Sequence, residues 1–583
     1  MRSGLFALLP VLAASVAVMH CGGGTQGQSA APDGGDVTAD GGPTADGGEA
    51  GAPNPDAVGA TTASKVDLLL VVDNSVSMAD KAQLLGSSLS PLLKKLAAAG
   101  DVHVGVITSS IGTMGGDICA NGGAAQNGLA HLSTVGPGNT PLASAAQGFL
   151  SYGAGADVDA FVADAQTLVN GVGENGCGFE AQLESMYRFL VQPDPWQTVT
   201  IDGNNQAALQ GVDATLLQQR KAFLRPDSLV VVLMLTDEDD STADPRAIGG
   251  QGWAFMNTQF PGSPVFRADG KTTTAPRATS ACASDPGSVN CTSCGFAATC
   301  DASLADCQQI KNDPECQKNG GYYGPTEDQL NVRFHRMKER YGIDPQFPIA
   351  RYVDGFTKAK VPNREGEHSQ VGRTIGPYLG LPSCTNPLFA ASLPSAPGDE
   401  LCNLPTGPRG KELVVFAVLG GVPSALVNPS PSWTAMLGTD PETFNYEGID
   451  PHMIQSRVSR PGLASASPVR GNNGTDPIHG REWDTAGDDL QFACTFDLPA
   501  PRTCTQADRG CDCADPAKNP PLCGVTLGQQ LKAKAYPTTR ELLVAKKLGD
   551  RGFAGSICPT SAATGYESTM TTLATLLAPR IVK

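Results

Sequence analysis

Two short segments carry oxygen donors in patterns that suit a hard cation. Asp73-Asn74-Ser75-Val76-Ser77 offers a carboxylate and two hydroxyls on alternate residues, and Thr236-Asp237-Glu238-Asp239-Asp240 offers a run of carboxylates much later in the chain. Magnesium takes about six oxygens at roughly 2.0–2.1 Å and keeps several waters, so one or two carboxylates with hydroxyls make up the protein's share. The extra acids at 238–240 raise the local negative potential and suit calcium, which accepts more ligands in looser geometry. They equally suit a solvated loop. Asp and Ser are also common caps and turn formers, so the spacing alone leaves a metal-free reading open.

Other chemistry-bearing residues say less. Cys291-x-x-Cys294, followed by Cys300, Cys307 and Cys316, has the spacing of a zinc knuckle or of a disulfide framework. No closely spaced His joins it. His335, His368, His452 and His479 are scattered without a metal-ligand spacing, and His103 sits inside a strand as a packed residue. The sequence has no His-Glu-x-x-His, no Gly-x-Ser-x-Gly and no Gly-rich phosphate loop followed by Lys. Asp239 and Asp240 are too close to take opposed acid and base roles, and His479-Gly480-Arg481-Glu482-Trp483 reads as a loop anchor. A binding protein is expected, not an enzyme; a hydrolase is the lesser reading.

The elements that must position these residues are legible. The runs 66–72, 229–235 and 413–419 are nearly continuous stretches of Val, Leu and other apolar residues, as strands buried on both faces of a parallel sheet require. Strands are also expected at 102–107 and 553–557, with 129–135 returning beside the second. Helices fill the gaps. The spacing predicts one over 78–98, capped by Ser77 and closed by Gly100, and others over 180–191, 327–341 and 567–577. Strands alternating with helices imply a doubly wound α/β sheet, and the Asp73 segment falls at the carboxyl end of a strand, where such sheets bind ligands.

Asp73-x-Ser75-x-Ser77 after a hydrophobic strand, with Leu235-Thr236-Asp237 after another, resembles a von Willebrand factor type A domain with its metal-ion-dependent adhesion site. The resemblance covers residues 65–240 closely and 411–583 by pattern. It implies a Rossmann-like three-layer fold, a mostly parallel sheet flanked by helices, binding one divalent cation, Mg2+ first with Ca2+ or Mn2+ as alternatives. Asp73, Ser75 and Ser77 match the first metal loop and Asp237 the third. That family places a Thr in its second loop, where this sequence reads Gly176-Cys177-Gly178-Phe179-Glu180. Either Glu180 supplies an oxygen there, or a disulfide ties Cys177, with Cys119 its nearest candidate partner. The implied function is adhesion, in which the cation holds an acidic side chain of a protein partner. The alternative is a metal-free, disulfide-braced structural surface protein on the same fold.

Composition sets the surroundings. The 583 residues carry 41 Lys and Arg against 58 Asp and Glu, a net charge of -17, which disfavours nucleic acid as a partner. With 68 Gly and 44 Pro, irregular structure is abundant. After Arg2, the apolar run 5–19 is too short to span a bilayer and suits a secretory signal. Val18-Met19-His20-Cys21 resembles a lipobox, with His20 where that motif has a small residue. It implies a lipid anchor on Cys21, the only membrane attachment expected, and a cell-envelope location at the outer membrane or cell surface, with secretion as the alternative. Residues 22–64 lack Lys and Arg and repeat Thr-Ala-Asp-Gly-Gly at 38–42 and 44–48, so they are expected as a disordered linker or spacer. The domain then runs 65–583, interrupted by Cys-rich insertions at about 242–410 and 424–550. Setting Cys21 aside leaves an even number of the 17 Cys, as pairing in an oxidising compartment requires.

Overall fold

A six-stranded sheet forms from β1 (Val66–Val72), β2 (Asp101–Thr108), β3 (Phe149–Gly153), β4 (Leu229–Leu235), β5 (Val414–Gly420) and β6 (Gly552–Ser556), with runs of Val and Leu in its central strands. The order is β3-β2-β1-β4-β5-β6. All neighbours pair in parallel except β3, which runs antiparallel to β2. This is the doubly wound order, and it reverses between β1 and β4. The computed structural model describes residues 55–582 apart from 113, 120–127, 258–271, 274, 299–302, 304, 325, 372–373, 506–507, 509 and 562. The leader, Cys21, most of the linker and Cys300 lie outside the described residues.

Every residue of β1, β4 and β5 is buried, because helices cover both faces. Alternate side chains enter opposite layers. Leu68, Leu70 and Val72 pack with α1 (Ala79–Ser88), α2 (Ser90–Ala97), α3 (Val158–Asn170) and α8 (Glu567–Leu577). Leu69 and Val71 pack with α4 (Gln182–Leu190), α5 (Ala214–Phe223), α6 (Ile349–Gly355) and α7 (Thr539–Lys547). The one acid inside β1, Asp67, is fully buried and takes hydrogen bonds from Arg225 N and Nε, both at 2.8 Å. The result is a three-layer α/β fold.

Several expectations are corrected. The helix expected over 78–98 is two helices, because Pro91 near the start of α2 has no N–H to continue the ladder. The edge beside β2 is taken by β3 and not by 129–135, where Leu129 and Ala130 have positive φ. Only Met337–Tyr341 of the helix expected over 327–341 forms an α-helix, since Arg336 adopts φ +47° and breaks the run. Residues 55–64, expected in the linker, are docked on the domain: Ala57 is buried and its N–H donates to Thr357 O at 2.8 Å, while Asp56 pairs with Lys358 and Lys411. Those two ammonium groups hold the Asp56 carboxyl down at about 2.

The long connections β4–β5 and β5–β6 each return a helix to the sheet, α6 and α7. Disulfides brace them: Cys282–Cys291, Cys294–Cys316, Cys384–Cys402, Cys494–Cys558, Cys504–Cys511 and Cys513–Cys523. The knuckle cysteines 291, 294 and 316 are therefore paired and not free for zinc, and Cys307 is also disulfide-bonded. Such bonds persist outside the reducing cytoplasm, which fits an extracytoplasmic protein. Among the described residues, no helix is long and apolar enough to cross a membrane.

Candidate functional site

Because β1 and β4 are neighbours in register, Val72 beside Leu235, the loops that follow them leave the sheet together at the point where the strand order reverses. Asp73 N donates to Leu235 O at 2.9 Å. The two donor segments, far apart in sequence, converge: Ser77 Oγ donates to Asp237 Oδ2 at 2.9 Å and Thr236 Oγ1 to Asp73 Oδ2 at 3.0 Å. Asp73 Oδ1 also accepts from Ser75 N at 2.8 Å and Ser109 Oγ at 2.9 Å. Ser77 reaches Asp237 from a backbone at φ +108°, a conformation an L-residue adopts only under constraint. Its hydroxyl is thus not the helix cap expected of it; Met78 stands at that position without a side-chain bond.

The second loop is built around the Cys119–Cys177 disulfide, one of the two arrangements expected there. Gly176 packs so closely on the first loop that a Cβ would lie 2.2 Å from Asn74 Oδ1. Ser110 Oγ accepts from Cys177 N and donates to Asn74 Oδ1, both at 2.9 Å. Hydroxyls at the end of β2, Ser109 and Ser110, therefore hold the first loop. Glu180 is also brought in: Oε2 accepts from Ser241 Oγ at 2.8 Å, while Oε1 has no hydrogen-bond partner.

Ser75 Oγ and Asp237 Oδ1 are likewise buried without a partner. Ser75, Glu180 and Asp237 are 3%, 1% and 0% exposed, so bulk solvent scarcely reaches these residues. The electrostatics agree. Burial, then the Asp237 charge, pushes Asp73 up to about 6. Burial and Asp237 push Glu238 up to about 8 against the pull of Lys534. Burial with Glu238 and Asp73 holds Glu180 well above its ordinary range. The cluster is short of positive charge, and its unpaired oxygens fit a hard cation.

One cation is already built in. Lys81 Nζ lies 3.0 Å from Asp237 Oδ2 and donates to Ser77 O at 2.8 Å. Burial opposes its charge, but Asp237 and Asp80 outweigh this and hold the ammonium above its ordinary value. The acids at 239 and 240 do not join the cluster. Asp239 accepts from Arg540 N and Thr539 Oγ1, both at 2.7 Å, capping α7, and Asp240 accepts from Leu183 N at 3.1 Å, capping α4. Both also line the cleft, and Asp240 Oδ1 is buried without a hydrogen-bond partner, so they are not a free solvated loop.

Ser75, Ser77, Glu180 and Glu238 face a cleft of about 1040 Å³. Its walls come from both insertions, through Leu330–Val332, Phe334 and His335 of the first and Gln455, Trp483, Phe492 and Asp512 of the second. The described residues of the Cys-rich stretch 282–316 do not line it; there the Cys291 carbonyl accepts from Lys338 Nζ at 2.9 Å. Asp489, Asp508, Asp512 and Asp515 make the lining acidic against Lys518 and Lys534. Trp483 is thus a wall residue of the cleft, beyond the anchoring expected of its segment.

No protein-family model matches this chain, and no curated protein does. Among solved structures, the pilus adhesin RrgA from Streptococcus pneumoniae is similar at 15% identity and a TM-score of 0.13, over 30% of this chain and 20% of the adhesin chain. A likeness that slight carries no argument about function.

Proposed function

We propose that the chain is an extracytoplasmic binding protein of the von Willebrand factor type A kind, tethered to the cell envelope through a lipid on Cys21. Asp73, Ser75, Ser77 and Asp237 hold one divalent cation, Mg2+ first, with Glu180 as the oxygen in place of the missing Thr. The observation that carries this reading is the set of buried oxygens without partners: Ser75 Oγ and Glu180 Oε1 at the floor of the cleft, and Asp237 Oδ1, whose carboxylate accepts from Ser77 of that floor. The doubly wound sheet, with its order reversing above that floor, supports it.

A bound divalent cation supplies an electrophilic point at which a partner's carboxylate can replace a water. The chain's own residues fix where that point lies: Ser109 and Thr236 orient Asp73, and Cys119–Cys177 braces the second loop. The acidic walls repel a bare carboxylate, so the partner's acidic group comes flanked by Lys or Arg. A second reading has its own observation. Lys81 neutralises Asp237 as it stands, which favours a metal-free scaffold.

Isothermal titration of Mg2+, Ca2+ and Mn2+ into the full chain separates the two: wild type binds one ion and Asp73→Ala does not. Absence of heat from all three ions in the folded wild type would leave the scaffold reading. Mass spectrometry of the amino-terminal peptide for a diacylglyceryl group on Cys21 tests the tether.

A further inference from the structure

A second cluster lies in the β5–β6 connection and owes nothing to Asp73 or Asp237. His452, Asp476 and His479 each offer a ligand atom, and these atoms all lie within 4.8 Å of one another. Asp476 stands at the centre. Its Oδ2 is 3.1 Å from His452 Nε2, and its Oδ1 is 3.1 Å from His479 Nδ1. His479 is fully buried, and its Nδ1 makes no hydrogen bond despite that approach.

Each imidazole uses its other nitrogen on a separate carboxylate. His452 Nδ1 lies 2.7 Å from Asp450 Oδ1, and His479 Nε2 lies 2.6 Å from Glu482 Oε1. A carboxylate behind the ring fixes the tautomer so that the inward nitrogen carries a lone pair, which is the arrangement around metal-bound histidines. The outer carboxylates are themselves held: Glu482 Oε1 accepts from Arg460 Nη2 at 2.8 Å, and Asp450 Oδ1 accepts from His452 N at 2.9 Å. Asp476 is set by a closed turn in which its N–H and C=O both pair with Gly480 at 2.9 Å, and its Oδ1 accepts from Ile478 N at 2.8 Å.

We propose that His452 Nε2, His479 Nδ1 and Asp476 form a zinc site that pins the loop segments around 452 and 476–482 together, with water completing the shell. Two bonds of about 2.05 Å at a tetrahedral angle place ligand atoms roughly 3.3 Å apart. The two 3.1 Å separations, one to each Asp476 oxygen, are close to that spacing, and the three ligand atoms together lie within 4.8 Å. Two imidazoles with one carboxylate suit Zn2+ and its first-row neighbours, whereas Mg2+ and Ca2+ take oxygen ligands. The charge also matches. With neutral rings, Asp450, Asp476 and Glu482 against Arg460 leave two negative charges, which one divalent ion offsets. Arg481 forms no ion pair with these acids; its guanidinium donates to the carbonyls of Asn472, Glu482 and Asn519.

The site goes beyond the cleft function proposed above and does not depend on it. The test uses the untagged full chain, stripped of metal and titrated with Co2+, whose visible d–d absorption reports imidazole and carboxylate ligation. Expected are d–d bands that saturate at one equivalent and vanish when Zn2+ displaces Co2+. The bands are lost in His452→Ala/His479→Ala and kept in Asp73→Ala, which separates this site from the cleft. Asp476→Asn, which keeps the side chain's shape, is expected to weaken Zn2+ at least about 10-fold in chelator competition. If the double variant fails to fold, the wild type decides: no bands and no rise in Tm with Zn2+ in folded protein would overturn the proposal. Bands that survive in a folded double variant would overturn it equally, leaving a hydrogen-bonded network of protonated imidazoles and acids.

Discussion

Replacing Lys81 by Met sets the two readings of the cleft against each other. The ammonium lies 3.0 Å from Asp237 Oδ2 and its side chain is buried. A cation bound at Asp237 Oδ1 would stand roughly 5 Å from Nζ, given metal–oxygen distances of about 2.1 Å. Charges of one and two at about 5 Å repel by about 1.7 kcal/mol in the dielectric of water and about 7 kcal/mol at an effective value near 20. Lys81→Met is therefore expected to tighten Mg2+ at least about 10-fold. In the absence of metal the same change leaves the Asp237 carboxylate buried and unpaired, which costs about 3–5 kcal/mol. Mg2+ at about 100 times its Kd returns about 2.7 kcal/mol of that. The assays are calorimetric titration and urea unfolding of wild type and variant, each with and without MgCl2. A variant destabilised to the same extent in both buffers, and binding no ion, would refute the metal reading and leave Lys81 as the permanent partner of Asp237.

Further consequences can be measured on the same protein. Gly176→Ala places a Cβ 2.2 Å from Asn74 Oδ1, so the first loop must shift; a loss of about 1–3 kcal/mol in thermal unfolding and weaker Mg2+ binding are expected. Cys119→Ser/Cys177→Ser opens a bond between residues 58 apart, and chain entropy gives a stability loss of about 4 kcal/mol, read by urea unfolding. Glu238 is held up at about 8 in the fold, against about 4.3 in an unfolded chain, so between those values the folded protein binds the extra proton. Stability from this group is therefore full near pH 4 and falls as pH rises towards about 8. In chelator, Glu238→Gln is expected to flatten that slope and to exceed wild type in urea midpoint near pH 8; a slope as steep as wild type would contradict it.

What could be read from the sequence follows from which signals are local. β1, β4 and β5 are apolar runs broken only by Asp67, and burial on both faces leaves little else for such runs to be. Asp73 and Asp237 could be paired because doubly wound order places their strands side by side. β3 was not legible, since only Phe149 and Leu150 of its five residues are buried and the rest resembles loop. Ser109 and Ser110 carry no distinctive spacing; only their place after β2 marks them. Lys81 reads as one polar residue of an amphipathic helix, yet it stands one turn beyond Ser77 and reaches back to its carbonyl. Asp239 could not be recognised as a cap, because the helix it caps begins 300 residues later. His452 and His479 meet only through an insertion fold that no local pattern reports.

The cleft's composition makes recognition conditional. Its floor holds oxygens that lack partners, and its walls carry an excess of acids, so a carboxylate arriving alone meets repulsion from every side. A cation on the floor reverses that sign at one point and nowhere else. Under the proposed function, binding of the cation and of an acidic partner would assist each other, and linkage makes the two effects equal: whatever factor Mg2+ adds to the partner's affinity, the partner adds to that of Mg2+. The insertions that build the walls belong to this chain's own loops and not to the sheet, so under the proposed function they would select the partner while the point between β1 and β4 would set the chemistry. A partner held with the same affinity in chelator as in Mg2+ would have to be gripped by the walls alone, and the unpaired oxygens beneath would then have no part in binding it.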